Sequence, residues 1–168
     1  MIDAEHCTTM SAYNGWMNQR LYALCAEMTD ADRKLDRGAF FGSIHLTLNH
    51  ILYGDLAFMS RMTGDPAEVP GIHSELHADF DDLRRARADL DARISDWAAS
   101  LTQDWLRQDL TFTSKVDNRV RTLPRWVAIT HMFNHQTHHR GQITTLLSQM
   151  GLDIGPTDIP FMPQFQPD

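Results

Sequence analysis

The sequence predicts an all-α fold, a four-helix bundle with a long crossover between its second and third helices. Apolar residues recur at spacings of three and four along four long segments, as they do in helices that bury one face. A polar connection that contains Pro70 and Gly71 separates the second segment from the third. At 168 residues and 19.2 kDa the chain is long enough to bury its own core, so we expect residues 1–168 to form a single domain.

The first helix is predicted over about residues 3–28. Its apolar positions are Met10, Tyr13, Met17, Leu21, Leu24 and Met28. Cys7 and Cys25 fall in this same helix, and a rise of 1.5 Å per residue puts them roughly 27 Å apart, beyond the reach of a disulfide. We interpret both as ordinary core or surface thiols.

The second helix is predicted over about 41–63, because Thr63-Gly64-Asp65-Pro66 is a strong helix terminator. Its apolar side is formed by Ile44, Leu48, Ile51, Phe58 and Met62. The third helix is predicted over about 79–101. Its apolar side holds Phe80, Leu83, Ala86, Leu90, Ile94, Trp97 and Leu101, while its charged residues indicate a solvated surface rather than a binding patch.

The segment between the third and fourth helices differs from the rest and predicts a short two-stranded ribbon or an extended loop. Apolar residues flank Asp117-Asn118; they are Leu110, Phe112, Val116 and Val120.

The fourth helix is predicted to be capped by Thr122, with Pro124 in its first turn, and to run to about Met150 before Gly151. The tail that follows is rich in proline but also in Ile, Phe and Met. We therefore expect this tail to pack on the bundle.

The composition excludes several classes of partner. The net charge is −7, and no cluster of Lys and Arg is long enough to follow a phosphate backbone, so we expect no nucleic-acid binding. No apolar run approaches the roughly 20 residues of a membrane span. The first ten residues lack the basic and apolar regions of a secretory signal, and we expect a cytoplasmic protein.

Residues 131–142, HMFNHQTHHRGQ, place four histidines in the fourth helix. At about 100° per residue, His131, His135 and His139 project from one side of it. His135 and His139 interrupt an apolar stripe, and Gln142 follows one turn later. Two interpretations stand: core histidines satisfied by hydrogen bonds, or an i, i+4 pair that binds one metal ion.

A third ligand is available in the second helix. His50 projects to the margin of the buried face of that helix, whereas His45 lies on the opposite side and we expect it to be exposed. His73 and His77 form another i, i+4 pair, but their segment is polar and loop-like, so we interpret them as surface residues.

Asp55 projects close to the middle of the same buried face, which is unusual for a carboxylate. It could form a buried helix–helix hydrogen bond, or it could orient a ligand imidazole from the second shell.

The sequence lacks the motifs of several other classes of enzyme. Gln136 stands where H-E-x-x-H proteases carry glutamate, the Glu-x-x-His of di-iron bundles is missing, and no GxSxG, P-loop or GxGxxG motif is present.

These motifs resemble the DinB/YfiT-like family. The likeness rests on SIHLTLNHILYGD, on HMFNHQTHHRGQ, and on a G-x-D-x-x-P-x-D-I-P-F tail, and it runs over most of the chain. The resemblance implies that one histidine of the second helix and two of the fourth bind a divalent metal. At this chain's positions these are His50, His135 and His139. Neutral imidazoles suit zinc, nickel, copper or iron; zinc is the first expectation and nickel, which often enters such sites during purification, the second.

The family also includes enzymes that use bacillithiol or mycothiol. The resemblance therefore implies a metal-dependent enzyme that activates a low-molecular-weight thiol for transfer to an electrophilic small-molecule substrate. Hydrolysis by metal-bound water is a second hypothesis, and a non-enzymatic stress-response or binding module with a structural metal is a third. Asp55 and Gln142 are the candidate second-shell residues.

Two residues are candidates for catalysis. His131, one turn before His135, could carry a proton or supply a fourth ligand, and Tyr53, one turn after His50, could donate a hydrogen bond. Both could equally be core residues.

We also expect a homodimer. Trp126 projects almost opposite the His135 stripe, so either a second subunit or the tail with Phe161 and Phe165 should cover it. The resemblance favours the dimer, because members of the family often pair through bundle helices.

Overall fold

The computed structural model describes residues 1–65, 70–114 and 117–167. Its α-helices are α1 (Ala4–Ala26), α2 (Asp30–Lys34), α3 (Ile44–Thr63), α4 (Phe80–Ser100), α5 (Gln103–Arg107) and α6 (Arg125–Gln149). Two strands, β1 (Asp109–Thr113) and β2 (Val120–Pro124), precede α6, and two 3-10 turns, Ile159–Phe161 and Pro163–Phe165, lie in the tail. The prediction of a four-helix bundle is confirmed, with α1, α3, α4 and α6 as its long helices.

The long helices form a ring in which α1 packs mainly against α4 and α3 packs mainly against α6. Contacts of α3 with α4 and of α1 with α6 close the ring. The pairing of α3 with α6 determines the functional site, because these are the two helices that carry the predicted histidine ligands. None of the helices in the described ranges is both long enough and apolar enough to cross a membrane.

The start of α3 follows from a local cap. Gly42 has a positive φ of 80°, and the Ser43 side chain accepts a hydrogen bond from the backbone N–H of Leu46. The helix therefore begins at Ile44, three residues later than predicted. At its other end Gly64 adopts a left-handed conformation with φ 82°, as the predicted terminator requires, while Pro66 lies outside the described residues.

The ribbon before α6 is confirmed, but the predicted cap of the helix is wrong. Thr122 pairs with Thr111 across the antiparallel strands, and their hydroxyl oxygens lie 2.8 Å apart. Because pairing continues to Asp109 and Pro124, the chain stays extended until α6 begins at Arg125. Val116, which we assigned to the ribbon, lies outside the described ranges.

The C-terminal tail packs on α1, as predicted. Met162 is buried against Tyr13 and Met17, and the Tyr13 hydroxyl donates a hydrogen bond to the Thr157 carbonyl at 2.8 Å. Arg20 donates to the carbonyls of Ile154 and Pro156. Phe161 and Phe165, the proposed cover for Trp126, stay about half exposed.

The crossover segment between α3 and α4 corrects the prediction for His45. This side chain is fully buried, and its Nε2 lies 2.9 Å from the His77 carbonyl oxygen and 3.0 Å from Glu75 Oε1. Asn49 fixes the same segment, because its side chain accepts from His77 N–H at 2.9 Å and donates to the His77 carbonyl. A loop therefore covers the face of α3 that helical projection alone assigns to solvent.

Candidate metal centre

Three histidines from α3 and α6 converge in the bundle. Each of His50, His135 and His139 offers a ring nitrogen, and these nitrogens all lie within 4.8 Å of one another. The Nε2 atoms of His50 and His135 are 3.0 Å apart. Zinc–imidazole bonds of 2.0–2.1 Å require about 3.3 Å between tetrahedral ligand nitrogens, and the separation of the His50 and His135 nitrogens is close to that value.

The outer ring nitrogens of two of these histidines face carbonyl oxygens. His139 Nδ1 lies 2.8 Å from Gln142 Oε1, and His50 Nδ1 lies 3.4 Å from the Ile72 carbonyl oxygen. Since a carbonyl oxygen only accepts, each Nδ1 carries the hydrogen and leaves an Nε2 lone pair for the cluster. This is the arrangement by which proteins orient imidazole ligands around a metal.

His135 is positioned differently, by close packing against α3. A Cβ built on Gly54 would lie 2.6 Å from its Cε1 and 3.1 Å from its Nδ1. This Nδ1 is buried and has no hydrogen-bond partner among the described residues. Packing against Gly54, rather than a hydrogen bond to Nδ1, sets the orientation of this ring.

The site keeps its imidazoles neutral. Burial lowers the pKa of His50 to about 4, and the nearby His139 adds to this shift. Burial also lowers the pKa of His135 to about 3, again with a contribution from His139. The pKa of His139 is lowered by burial too, against the opposing effect of its bond to Gln142. At pH 7 all three rings are in the uncharged form that binds metal.

Phe41 covers one side of the cluster. Its ring stacks on His50 with 3.8 Å between centroids and meets His139 edge-on at 5.4 Å. The sequence interpretation missed this residue because it placed Phe41 at the start of the predicted second helix, whereas α3 begins only at Ile44. Its aromatic face covers the ring of His50 and the edge of His139.

A cavity of about 810 Å³ opens beside the cluster. It lies between α3 and α6, and the ribbon and residues 70–72 complete its wall. His50 and His135 form part of the wall, so a ligand in the cavity would contact two of the three histidines. The volume is in the range of cavities that take small organic molecules.

Both candidate catalytic residues line this cavity. The His131 ring centroid lies 6.0 Å from that of His135, and burial lowers the pKa of His131. His131 is not part of the three-nitrogen cluster, which favours a proton carrier over a fourth ligand. Tyr53 is buried, with its ring centroid 6.3 Å from that of His50.

Asp55 and Gln142 were the two candidates for orienting a ligand imidazole, and of these only Gln142 contacts a histidine of the cluster. Asp55 is fully buried, but its Oδ2 lies 2.5 Å from Nη1 of Arg87 on α4. Asp55 follows His50 by five positions, so it projects about 140° away around the helix. The structure thus shows the helix–helix contact in place of the second-shell contact that we also considered for Asp55.

The fold and the site together define a class of protein: a four-helix bundle with a three-histidine cluster between two adjacent helices. The chain belongs to the DinB family, which it matches over residues 1–168. It is 25% identical over 150 residues to Protein DinB of Bacillus subtilis (strain 168), and the match covers 87% of each chain.

Two solved structures share the fold. A DinB-like protein from Bacillus cereus ATCC 10987 has 18% identity and a TM-score of 0.62, with 83% of this chain and 89% of that chain covered. YfiT from Bacillus subtilis has 17% identity and a TM-score of 0.63, with coverages of 91% and 92%. YfiT is described as a probable metal-dependent hydrolase with an unusual four-helix bundle topology. The resemblance to the DinB/YfiT-like family is confirmed.

Proposed function

We propose that this protein is a divalent-metal-dependent enzyme whose metal ligands are His50, His135 and His139. The observation that carries the proposal is the convergence of three neutral imidazole nitrogens within 4.8 Å at the wall of an 810 Å³ cavity. The description of YfiT as a probable metal-dependent hydrolase supports it. Three protein ligands with an open position are typical of catalytic rather than structural zinc sites. Zinc is the expected metal and nickel the second candidate.

A metal bound here would supply Lewis acidity, which lowers the pKa of a thiol or of water at the open position. The three histidines would hold the metal, Gln142 would orient one of them, and Phe41 would cover one side of the site. The apolar wall of the cavity binds the organic substrate next to the cluster.

The proposed reaction transfers a low-molecular-weight thiol to an electrophilic substrate. The thiol proton passes to His131, which is neutral at pH 7 because burial lowers its pKa. The sulfur then forms a bond to the electrophilic carbon, and the leaving group departs with its electron pair and takes up a proton. Tyr53 is placed on the cavity wall, where its hydroxyl could donate to the substrate.

Hydrolysis is the second candidate function, and the description of YfiT favours it. Water would replace the thiol, and the same residues would act on an ester or amide substrate. A screen of glutathione, bacillithiol and mycothiol against electrophiles, run beside a panel of esters and amides, separates the two reactions. Activity that survives His139→Ala in either screen would exclude the metal mechanism.

Metal binding is tested first and independently of activity. Protein made without a histidine tag should contain, or take up, one equivalent of zinc. Loss of a residue that only orients a metal ligand typically weakens metal binding by about 10- to 100-fold. A single change of His50, His135 or His139 to Ala removes a ligand itself and should weaken zinc binding by roughly 100-fold or more. His6→Ala, which removes an exposed histidine on α1, is the matched control. Metal content below about a tenth of an equivalent after zinc loading would contradict the proposal.

Chelation separates a catalytic from a structural metal. A structural ion should contribute several kcal/mol to the free energy of unfolding, so its removal would melt the protein at a much lower temperature. Here the bundle has its own core, and we expect the metal-free protein to remain folded.

A further inference from the structure

The cavity beside the histidine cluster contains a cation that none of the carboxylates in the described ranges neutralises. Arg61, near the end of α3, is partly buried on the cavity wall. Its guanidinium lies 5.1 Å from the ring centroid of Phe58 and 4.9 Å from that of Phe112. Neither ring carries a negative charge, and among the residues that the structure describes no carboxylate forms an ion pair with this guanidinium.

The second arginine of the cavity wall behaves differently. Arg121 forms two hydrogen bonds of 2.8 Å to the two carboxylate oxygens of Asp117. No Asp or Glu is among the described residues that line the cavity. Within the described ranges, Arg61 is therefore a positive charge on the cavity wall that no acidic side chain balances. A partly buried cation without an anion is costly, and an anionic ligand would remove that cost.

The cation and the histidine cluster lie at opposite ends of the same wall. His50, Gly54, Phe58 and Arg61 follow one another on α3 at steps of four, four and three, which places them along one face of the helix. At 1.5 Å per residue, the Cα atoms of His50 and Arg61 are about 16 Å apart along the helix axis. Helical side chains tilt towards the N-terminus, so Arg61 extends back towards the cluster.

The wall between the two ends is apolar. On α6 the lining residues Val127 and Ala128 precede His131 and His135, and on α3 Ala57 and Phe58 lie between the ends. Such a wall binds a hydrocarbon chain or an aromatic ring but leaves a charged group there without a partner.

We propose that the cavity binds hydrophobic carboxylic acids, with the carboxylate at Arg61 and the far end of the molecule at the histidine cluster. The assignment of the far end to the reaction rests on the proposed function, whereas anion binding at Arg61 does not. The substrate class is then an apolar compound that carries its carboxylate several carbon atoms away from the reacting group.

The test compares octanoate with octanol in the metal-free protein at pH 7.5, by calorimetric titration. Metal must be absent because a carboxylate could otherwise bind the ion itself. We expect octanoate to bind about tenfold or more tightly than octanol, the effect of one charge-assisted hydrogen bond. Arg61→Met, which keeps the length and apolar character of the stem, should abolish this preference, and Arg61→Lys should retain part of it.

Arg121→Met is the matched control, because it removes a cation that Asp117 already neutralises, and it should keep the preference for octanoate. Equal affinities for octanoate and octanol in the wild-type protein would overturn the proposal, as would a preference that survives Arg61→Met. Zinc titration of the same variants reports on the proposed function separately. If Arg61→Met binds zinc like the wild type but no longer prefers octanoate, both the metal site and the carboxylate site are supported. If the wild-type protein does not bind zinc, only the proposed metal-dependent function is contradicted.

Discussion

Gly54 of α3 and His135 of α6 are so close that no side chain fits between them. A Cβ on Gly54 would lie 2.6 Å from Cε1 of His135, which is shorter than the contacts that Cβ atoms make in proteins. This close approach lets Nε2 of His135 reach to 3.0 Å from Nε2 of His50. The geometry of the histidine cluster thus depends on a residue that offers no ligand.

Gly54→Ala should weaken metal binding without unfolding the protein. The added methyl group pushes the His135 ring away from α3, and we expect zinc affinity to fall about 10- to 100-fold, as for other losses of ligand orientation. Alanine also favours a helix over glycine by about 1 kcal/mol, which offsets part of the strain. Competition titration with a chromogenic chelator measures the affinity, and thermal melting measures the fold.

Gly141→Ala is the control for this change. Gly141 is an exposed residue of α6, two positions from His139, and a Cβ there meets nothing within 4 Å. It should raise the melting temperature and leave zinc affinity unchanged. Wild-type zinc affinity in Gly54→Ala would show that the His135 ring does not need this position.

The long helices and the histidine cluster could be predicted because both follow from helical periodicity. His135 and His139 share a face four residues apart, and helical projection favoured His50 over His45 as their partner, in agreement with the family resemblance. The structure then brings the three together because α3 packs against α6. Periodicity describes one helix at a time, so it identified the faces but not which helices are neighbours.

The wrong predictions for His45 and Thr122 have local causes. His45 is buried by the crossover segment, and the fold of a loop has no periodic signal in the sequence. Thr122 could serve as a helix cap or as a strand residue, and pairing with Thr111 decides between them. The buried position of Arg87 could have been predicted from the sequence but was missed. Arg87 lies four residues after Leu83 and three before Leu90, on the apolar stripe of α4. In the structure it contacts Asp55, which is also buried.

Gln142→Leu should weaken zinc binding by about 10- to 100-fold, the usual effect of removing the hydrogen-bond partner of a ligand imidazole. The change removes the acceptor of the His139 Nδ1 hydrogen bond, so the ring loses both its fixed tautomer and its orientation. Gln142→Glu keeps an acceptor at the same place and should bind zinc at least as tightly as the wild type. If Leu and Glu weaken binding equally, the hydrogen bond is not the cause.

The metal-free protein should lose stability as the pH falls from about 6.5 towards 4. The folded-state pKa values of His50 and His135 are lowered to about 4 and about 3, so below pH 6.5 the unfolded chain takes up protons that the folded chain does not. The folded protein therefore has its full free energy of unfolding above pH 6.5. Below pH 6.5 the free energy of unfolding declines, by on the order of 2 kcal/mol per buried imidazole.

Urea titrations of the wild type and of His135→Asn across this pH range, in the presence of a chelator, isolate the effect. The difference between their free energies of unfolding should shrink as the pH falls, because the variant has one buried imidazole fewer. His6→Ala should follow the wild type at every pH. Parallel curves for the wild type and His135→Asn would contradict the assigned shift.

The homodimer stays a prediction, since the structure describes one chain. Trp126 is only partly buried on the bundle, which leaves part of this ring for a second subunit. Light scattering at micromolar concentration should give twice the 19.2 kDa of one chain. A mass near that of the single chain would refute the dimer.

The buried pair between Asp55 and Arg87 should be among the most sensitive contacts of the fold. Both side chains are almost fully inaccessible to solvent, and Nη2 of Arg87 also lies 2.9 Å from Asp91. Arg87→Met removes the cation and leaves the Asp55 carboxylate buried without a compensating charge, which should lower the free energy of unfolding by about 3–5 kcal/mol.

The double variant Asp55→Leu/Arg87→Met removes both charges, and we expect it to be more stable than Arg87→Met alone, because no uncompensated Asp55 charge remains in the core. Arg84→Met is the control on the same helix: its ion pair with Asp81 is exposed, at 3.8 Å, and its loss should change the free energy of unfolding by less than about 1 kcal/mol. Urea denaturation of the four proteins measures all of these differences. If the double variant is no more stable than Arg87→Met, an unpaired Asp55 carboxylate is not the origin of the loss.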